Sequence, residues 1–239
     1  MNTNWMKKEV SHLFDQYDDY LEERLGYTPL IENMKESLGQ DISVLDYGCG
    51  GGKVSRRLVA KGIRKVTGVD ISQTMVDKAS SHIDRGNSSY HQIRSGVLDF
   101  SDGTFDAAIS CYVLINVTEK SMLLNIAKEI YRTLKNNGIF YILDTNPDSS
   151  GIKFSSFING EQGKQYSDGE SKPVYLNMPG GSVFKILDTC WHKETYYAIL
   201  NEAGFKNIEL FEHCDNESDK DIGDAQNHPP FVMFKAIKC

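Results

Sequence analysis

The sequence has no run of 18 apolar residues, so no membrane-spanning helix is expected. Its first ten residues, MNTNWMKKEV, lack an apolar core before a cleavage site, so no secretory signal is expected. It has no CxxC and no Cys/His pair at zinc spacing. The five cysteines, Cys49, Cys111, Cys190, Cys214 and Cys239, are odd in number and scattered, which suits a reducing, cytoplasmic setting, small-residue packing and no structural metal. Positive charge is also short. Against 33 Asp and Glu stand 26 Lys and Arg, a net charge of −7, which disfavours a general nucleic-acid binder because phosphate neutralisation needs clustered cations. Internal repeats and low-complexity tracts are missing as well. With 239 residues, one α/β domain with an insertion fits and two full domains would be cramped.

The residues present alternate between two periods. Leu13, Phe14, Tyr17, Tyr20, Leu21 and Leu25 fall at helical spacing, and TPLIENMKESLG follows as a second helix with Pro29 in its first turn and Gly39 at its end. From Val44 onward strands and helices alternate. SVLDY, KVTGVD, SYHQI, FDAAISCYV and IFYILDT read as strands; VSRRLVAKG, SQTMVDKASSHI and SMLLNIAKEIYRTLKNNG read as helices, the last closed by Gly138. This rhythm predicts a parallel sheet covered on both faces. Residues 146–191 break it with Gly, Ser, Pro and Asn among Phe154, Phe157, Tyr166, Tyr175 and Phe184, and are expected to cap a small pocket. KETYYAILNEAGF is a further helix, and IELFEH and FVMFKAIK a closing strand pair around a solvated loop, DNESDKDIGD. One domain is expected, divided into a helical lid (1–40), a core (41–146), a cap (147–191) and a closing helix and strands (192–239).

The stretch VLDYGCGGGK, Val44–Lys53, places a glycine turn between a strand and a helix, where free backbone N–H groups can face a ligand. It is not a Walker A loop, because Val54 follows Lys53 and Tyr47 stands at the first glycine position. It is not a dinucleotide fingerprint either: Gly48, Gly50 and Gly52 make G-x-G-x-G, and Lys53 occupies the place of the third glycine. Asp46, inside the strand end, would repel a pyrophosphate and attract a cationic amino-acid group. Asp70 ends the second strand, where a carboxylate can accept two hydrogen bonds from a ribose diol. A ribose joined to a positive tail describes S-adenosylmethionine.

At these residues the chain resembles the class I S-adenosylmethionine-dependent methyltransferases. VLDYGCGGG is similar to their first motif, VTGVDIS to their second, and GTFDAAISCYVLINV and LKNNGIFYI to the segments around their fourth and fifth strands. NPD at 146–148, CWHKETYYAILNEAGF and HPPF resemble a small-molecule group of N-methyltransferases associated with toxoflavin biosynthesis. The resemblance implies a Rossmann-like, seven-stranded, mostly parallel sheet with helices on both faces, an antiparallel last strand, an N-terminal helical lid and a cap insertion after strand five. It implies S-adenosylmethionine as cofactor, S-adenosylhomocysteine as product and no metal. Position by position, Asp46 would sit near the methionine ammonium and Gly48, Cys49 and Gly50 would offer backbone to the amino-acid part. Asp70 would hold the ribose, Ile71 and Met75 the adenine, and Cys111 and Tyr112 would lie near the sulfonium. Where the family often has an acid for the adenine amino group, this chain has Arg94; Ser95 and Gly96 through backbone, or Asp99 after a shift, stand in. Tyr17, and next Tyr20, match a tyrosine that covers the cofactor, although an amphipathic core stripe explains either equally well.

Methyl transfer from a sulfonium needs alignment and water exclusion more than protein chemistry, and a base only if the acceptor must lose a proton early. Tyr112, Asn116, Asn146, Asp148, Tyr166, Tyr175, Trp191 and His192 are the expected acceptor-facing residues, with His192, Tyr112 and Asn146 the candidates for a catalytic role. A packing or surface role competes for His192, and His228 is similarly placed between roles. The expected acceptor is a small aromatic or heterocyclic metabolite methylated at nitrogen or oxygen, in natural-product chemistry, by a monomer or homodimer without nucleic-acid or membrane partners. The alternatives are a same-fold enzyme using the cofactor as a non-methylating scaffold, a protein or RNA methyltransferase, and, remotely, a nicotinamide dehydrogenase.

Overall fold

A computed structural model of the chain describes Thr3 and residues 16–82, 86–215 and 222–239. Leu13 and Phe14 of the expected first helix, and part of the 215–224 loop, lie outside the described residues. The alternating rhythm becomes β1 (Ser43–Tyr47), α2 (Lys53–Ala60), β2 (Lys65–Asp70), α3 (Gln73–Ser80), β3 (Ser88–Gln92), β4 (Phe105–Cys111), α4 (Lys120–Thr133) and β5 (Leu134–Thr145), preceded by α1 (Thr28–Leu38). After β5 come β6 (Phe157–Asn159), β7 (Ser171–Asn177) and β8 (Val183–Thr189), then α5 (Lys193–Ala203), β9 (Lys206–Phe211) and β10 (Phe231–Ile237). The main sheet has the order β3-β2-β1-β4-β5-β10-β9. Its first five strands are parallel, and the last strand, β10, runs antiparallel to both neighbours. The Rossmann-like seven-stranded α/β sheet with an antiparallel last strand is thus the observed fold.

Strand alternation explains why both faces are covered. In β1, Val44 belongs to the buried cluster that holds residues of α1, α2 and the cap, whereas its neighbour Leu45, on the other face, belongs to the one that holds residues of α4 and α5. Both are fully buried, each worth about 1.5–3 kcal/mol relative to exposure. The α4 stripe of Leu123, Ile126, Ala127 and Ile130 is buried as its spacing predicts. That helix stops at Thr133, short of the expected Gly138. Leu134 turns inward, is fully buried and pairs with Phe105, while the Lys238 ammonium takes the carbonyls of Tyr131 and Leu134, each at 2.7 Å. Burial of one leucine, with a lysine closing the helix end, outweighs the glycine stop signal.

The segment before α1 is a helix, Tyr20–Glu22, that widens into a π-helical turn, Glu23–Tyr27. Such turns are rare and frequent at functional sites. This lid is fastened to α2: Asp19 receives Lys53 at 2.6 Å and Arg57 at 3.0 Å, Arg57 also pairs with Glu23, and its guanidinium lies 4.9 Å from the Tyr27 ring centre. The 146–191 insertion is a separate three-stranded antiparallel sheet, β6-β7-β8.

Candidate active site

β1 leads to β2 and β3 on one side of the sheet and β4 and β5 lie on the other, so the strand order reverses between β1 and β4. Ligands of such sheets bind outside the carboxyl ends of the strands at that reversal. A cavity of about 850 Å³ lies there. Along the strand ends its lining runs from Asp70 of β2, through Gly48–Gly51 after β1 and Cys111–Val113 after β4, to Thr145 of β5. Neighbouring strands are about 4.8 Å apart, so three steps span roughly 14 Å.

The glycine turn is built for a close approach. Gly48, Gly50 and Gly52 have φ of 77°, 51° and 76°, values that favour glycine. A Cβ on Gly48 would lie 2.4 Å from the Val113 side chain, whereas one on Gly50 would meet nothing within 4 Å. Gly50 lines the cavity, so that open space belongs to the cavity. Asp70 holds the turn: its carboxylate accepts from the Gly50 N–H at 2.9 Å and the Ser72 N–H at 2.8 Å. Burial pushes Asp70 up, opposed by those two N–H groups.

A family model described as a methyltransferase domain matches residues 44–138. Over 240 aligned positions the chain is 29% identical to N-demethylindolmycin N-methyltransferase of Streptomyces griseus, covering 98% of this chain and 99% of that one. In fold it is similar to an S-adenosylmethionine-dependent methyltransferase from Mesorhizobium loti (TM-score 0.65, 19% identity, 88% of this chain and 96% of that one). DesVI of Streptomyces venezuelae is comparable (TM-score 0.66, 15% identity, 98% and 100%). Together these likenesses mark the chain as an S-adenosylmethionine-dependent methyltransferase.

The residues of this methyltransferase fit its cofactor. The open space at Gly50 admits a ligand against backbone, and each Asp70 oxygen, with one N–H bond, retains a lone pair for a ribose hydroxyl. Of the residues expected on the cofactor side, Tyr17, Gly48, Cys49, Gly50, Asp70, Ile71, Met75, Ser95, Cys111 and Tyr112 line the cavity. Asp46 does not. It is buried behind the turn, accepts from Ser55 Oγ at 2.6 Å and is pushed up to about 6 by that burial. Gly96 gives its N–H to Tyr47 Oη at 3.0 Å, and neither Arg94 nor Asp99 reaches the lining. Tyr20 packs against the lid core, outside the lining.

On the acceptor side the methyltransferase departs further from expectation. Tyr112 and Asn116 line the cavity, and Asn116 Nδ2 donates to the Tyr112 carbonyl at 2.8 Å. Tyr112 has φ 57°, rare for a side chain of its size, and its Oη is buried with no hydrogen-bond partner among the described residues. The others are engaged elsewhere. Asn146 donates to Glu212 at 2.7 Å and to the Pro229 carbonyl at 3.0 Å, and Asp148 pairs with Lys193 at 2.7 Å. Tyr166 Oη accepts from the Glu161 N–H, and the Lys185 ammonium stands 5.6 Å from the Tyr175 ring centre. Trp191 Nε1 donates to the Val117 carbonyl at 2.9 Å. His192 starts α5 with Nε2 2.9 Å from the Tyr166 carbonyl, and His228 is exposed; neither lines the cavity.

In their place stand Val174, Leu176, Ile186 and Asp188 from β7 and β8, with Phe157 from β6. The pairing Val174↔Ile186 and Lys172↔Asp188 puts these even-numbered residues on one face and Tyr175 on the other. The lid adds Glu22 and Tyr27, which sequence reasoning also missed. Glu22 accepts from Tyr17 Oη at 2.7 Å through one oxygen, and burial pushes it up to about 7. Burial likewise raises the thiols of Cys49 and Cys111 and the phenol of Tyr17. Period-two alternation in KPVYLN and VFKILDT was the available signal; aromatic content pointed to the wrong phase.

Proposed function

We propose that this enzyme transfers a methyl group from S-adenosylmethionine to nitrogen or oxygen of a small aromatic or heterocyclic metabolite. The observation that carries the reading is the continuity of one cavity from Asp70 and the glycine turn, past Cys111 and Tyr112, to the apolar wall of Phe157, Val174, Leu176 and Ile186. A space of about 850 Å³ suits a cofactor and a small acceptor together. The full-length similarity to an N-methyltransferase whose name denotes a small-molecule substrate supports the same substrate class.

When bound, the cofactor supplies a methyl group on a positively charged sulfur that leaves with its bonding electrons. The protein's own work is alignment. The Gly48–Gly50 backbone and Asp70 hold one end of the cavity, with Ile71, Met75 and Ser95 beside them. Tyr17 and Tyr27 of the lid and the cap strands exclude water from the other. Tyr112, fixed by its N–H to the Leu143 carbonyl at 2.7 Å and by edge-on contacts with Tyr27 and Phe231, lies between the two. Such positioning accounts for much of the acceleration available to a displacement reaction.

Titration calorimetry with S-adenosylhomocysteine tests the cofactor half: binding is expected in the wild type and lost in Asp70→Ala. Methyl-labelled cofactor added to cell extract tests the acceptor half. Label in the small-molecule fraction supports the reading; label only in protein or RNA, or in no product despite binding, overturns it.

A further inference from the structure

Of the carboxylates lining the cavity, Asp188 alone has both oxygens buried without a hydrogen-bond partner among the described residues. It is 1% exposed, at the end of β8, beside apolar Val174 and Ile186. Its cross-strand partner is Lys172, itself 2% exposed. Asp144, fully buried near the end of β5, is electrostatically coupled to both and already accepts from Tyr196 Oη at 2.9 Å. Among the described residues no ion pair of 4 Å or less closes this group. Burial holds the Asp144 carboxyl well above the usual carboxylate range, and a buried carboxyl such as Asp188 with both oxygens unpartnered is costly unless something completes it. Asp188 faces the cavity with two vacant acceptor atoms. A nitrogen carrying two N–H donors and a positive charge satisfies both; a hydroxyl offers one donor and no charge.

We propose that Asp188 is the acceptor-recognising carboxylate of the methyltransferase, selecting a basic amine and taking its proton. This rests on the methyl-transfer reading above. An acceptor arriving as a secondary ammonium gives one proton to the Asp188 carboxylate and so frees its nitrogen lone pair. That lone pair forms the N–C bond to the methyl group as the C–S bond breaks with its electrons on sulfur. The product leaves as a tertiary ammonium, and Asp188 returns its proton to solvent. The groups facing Asp188 are Lys172, Asp144 and Tyr196. Burial pushes Asp188 up to about 7, opposed by Lys172, which suits a group that must take and release a proton near neutrality.

The test uses matched pairs, phenethylamine against phenethyl alcohol and tryptamine against tryptophol, with the N-methyl form of each amine. Each is titrated calorimetrically into the full-length protein saturated with S-adenosylhomocysteine, then offered with methyl-labelled cofactor. At least one amine is expected to bind tenfold or more tightly than its alcohol and to carry label on nitrogen. Asp188→Asn removes that preference while leaving S-adenosylhomocysteine affinity within twofold, and Asp188→Glu restores part of it. The proposal is overturned if no amine exceeds its alcohol, or if the preference survives in Asp188→Asn. It is also overturned if that variant loses the cofactor product, which would make Asp188 a structural or cofactor residue. Failure of the wild type to bind S-adenosylhomocysteine would instead remove the methyltransferase reading on which the proposal stands.

Discussion

Replacing Glu22 by glutamine should stabilise the protein by an amount that grows as pH rises above about 4.5 and levels off above about 7. The carboxyl is buried in the lid, gives one oxygen to Tyr17 and has no hydrogen-bond partner among the described residues for the other. Burial dominates and moves it from 4.5 to about 7. Because the folded-state value is raised, the protonated acid favours folding. That contribution is complete below about pH 4.5 and disappears as pH rises through about 7. The interval corresponds to roughly 3 kcal/mol at about 1.36 kcal/mol per tenfold. Glutamine keeps the acceptor for Tyr17 and never ionises. For a domain of this size each kcal/mol moves Tm by about 2–4 °C, so Glu22→Gln should melt about 6–12 °C higher at pH 8.5. At pH 4.5 the two proteins should melt together. Thermal unfolding of both in matched buffers measures the gap, and the wild type's protonated-carboxyl infrared band should be lost in the variant. A gap that does not change with pH, or a variant less stable at pH 8.5, would refute the reasoning.

Gly48→Ala should cost about 2–5 kcal/mol in denaturant unfolding, since it combines a left-handed backbone with a Cβ 2.4 Å from Val113, and should weaken S-adenosylhomocysteine binding in calorimetry. Ser55→Ala leaves the Asp46 carboxylate buried without its 2.6 Å partner and should lose about 1–3 kcal/mol of stability, measured the same way. Tyr112→Phe removes a hydroxyl with no hydrogen-bond partner among the described residues, so Tm should stay within about 2 °C. If that hydroxyl serves the acceptor, steady-state assays of the same variant will show KM or kcat changed.

The cofactor end of the cavity was legible because its determinants are local. A strand, a turn needing positive φ at Gly48 and Gly50, and an acid at the next strand end occupy 27 consecutive residues, 44–70. Asp46 shows where this reading stops. Its position in the motif was visible, but its partner Ser55 lies in the first turn of α2, and only packing turns that serine toward it. The parallel sheet was legible through the alternation of apolar strands with amphipathic helices. The end of α4 was not, because Leu134 chose burial over helix continuation.

The acceptor end was misjudged for a different reason. Tyr166, Tyr175, Trp191 and His192 are chemically suited to a binding wall, yet Tyr166, Tyr175 and His192 spend a polar group or a ring within or beside the cap, and Trp191 ties the cap to the Val117 carbonyl of the core. Which face of β7 and β8 looks inward depends on how the cap sheet settles on the main sheet, and a shift of one residue exchanges Asp188 and Val174 for Tyr175. Glu22, just before the π-helical turn, and Tyr27, at its end, both line the cavity, and helical spacing does not announce that turn. By itself, the sequence determined the family, the order of elements and the glycine turn with Asp70, all set by contacts between near neighbours in the chain. The tertiary structure alone decided that Glu22 and Asp188 join Asp70 in the cavity, because these two residues, 166 positions apart, come to one lining only when lid and cap pack over the sheet.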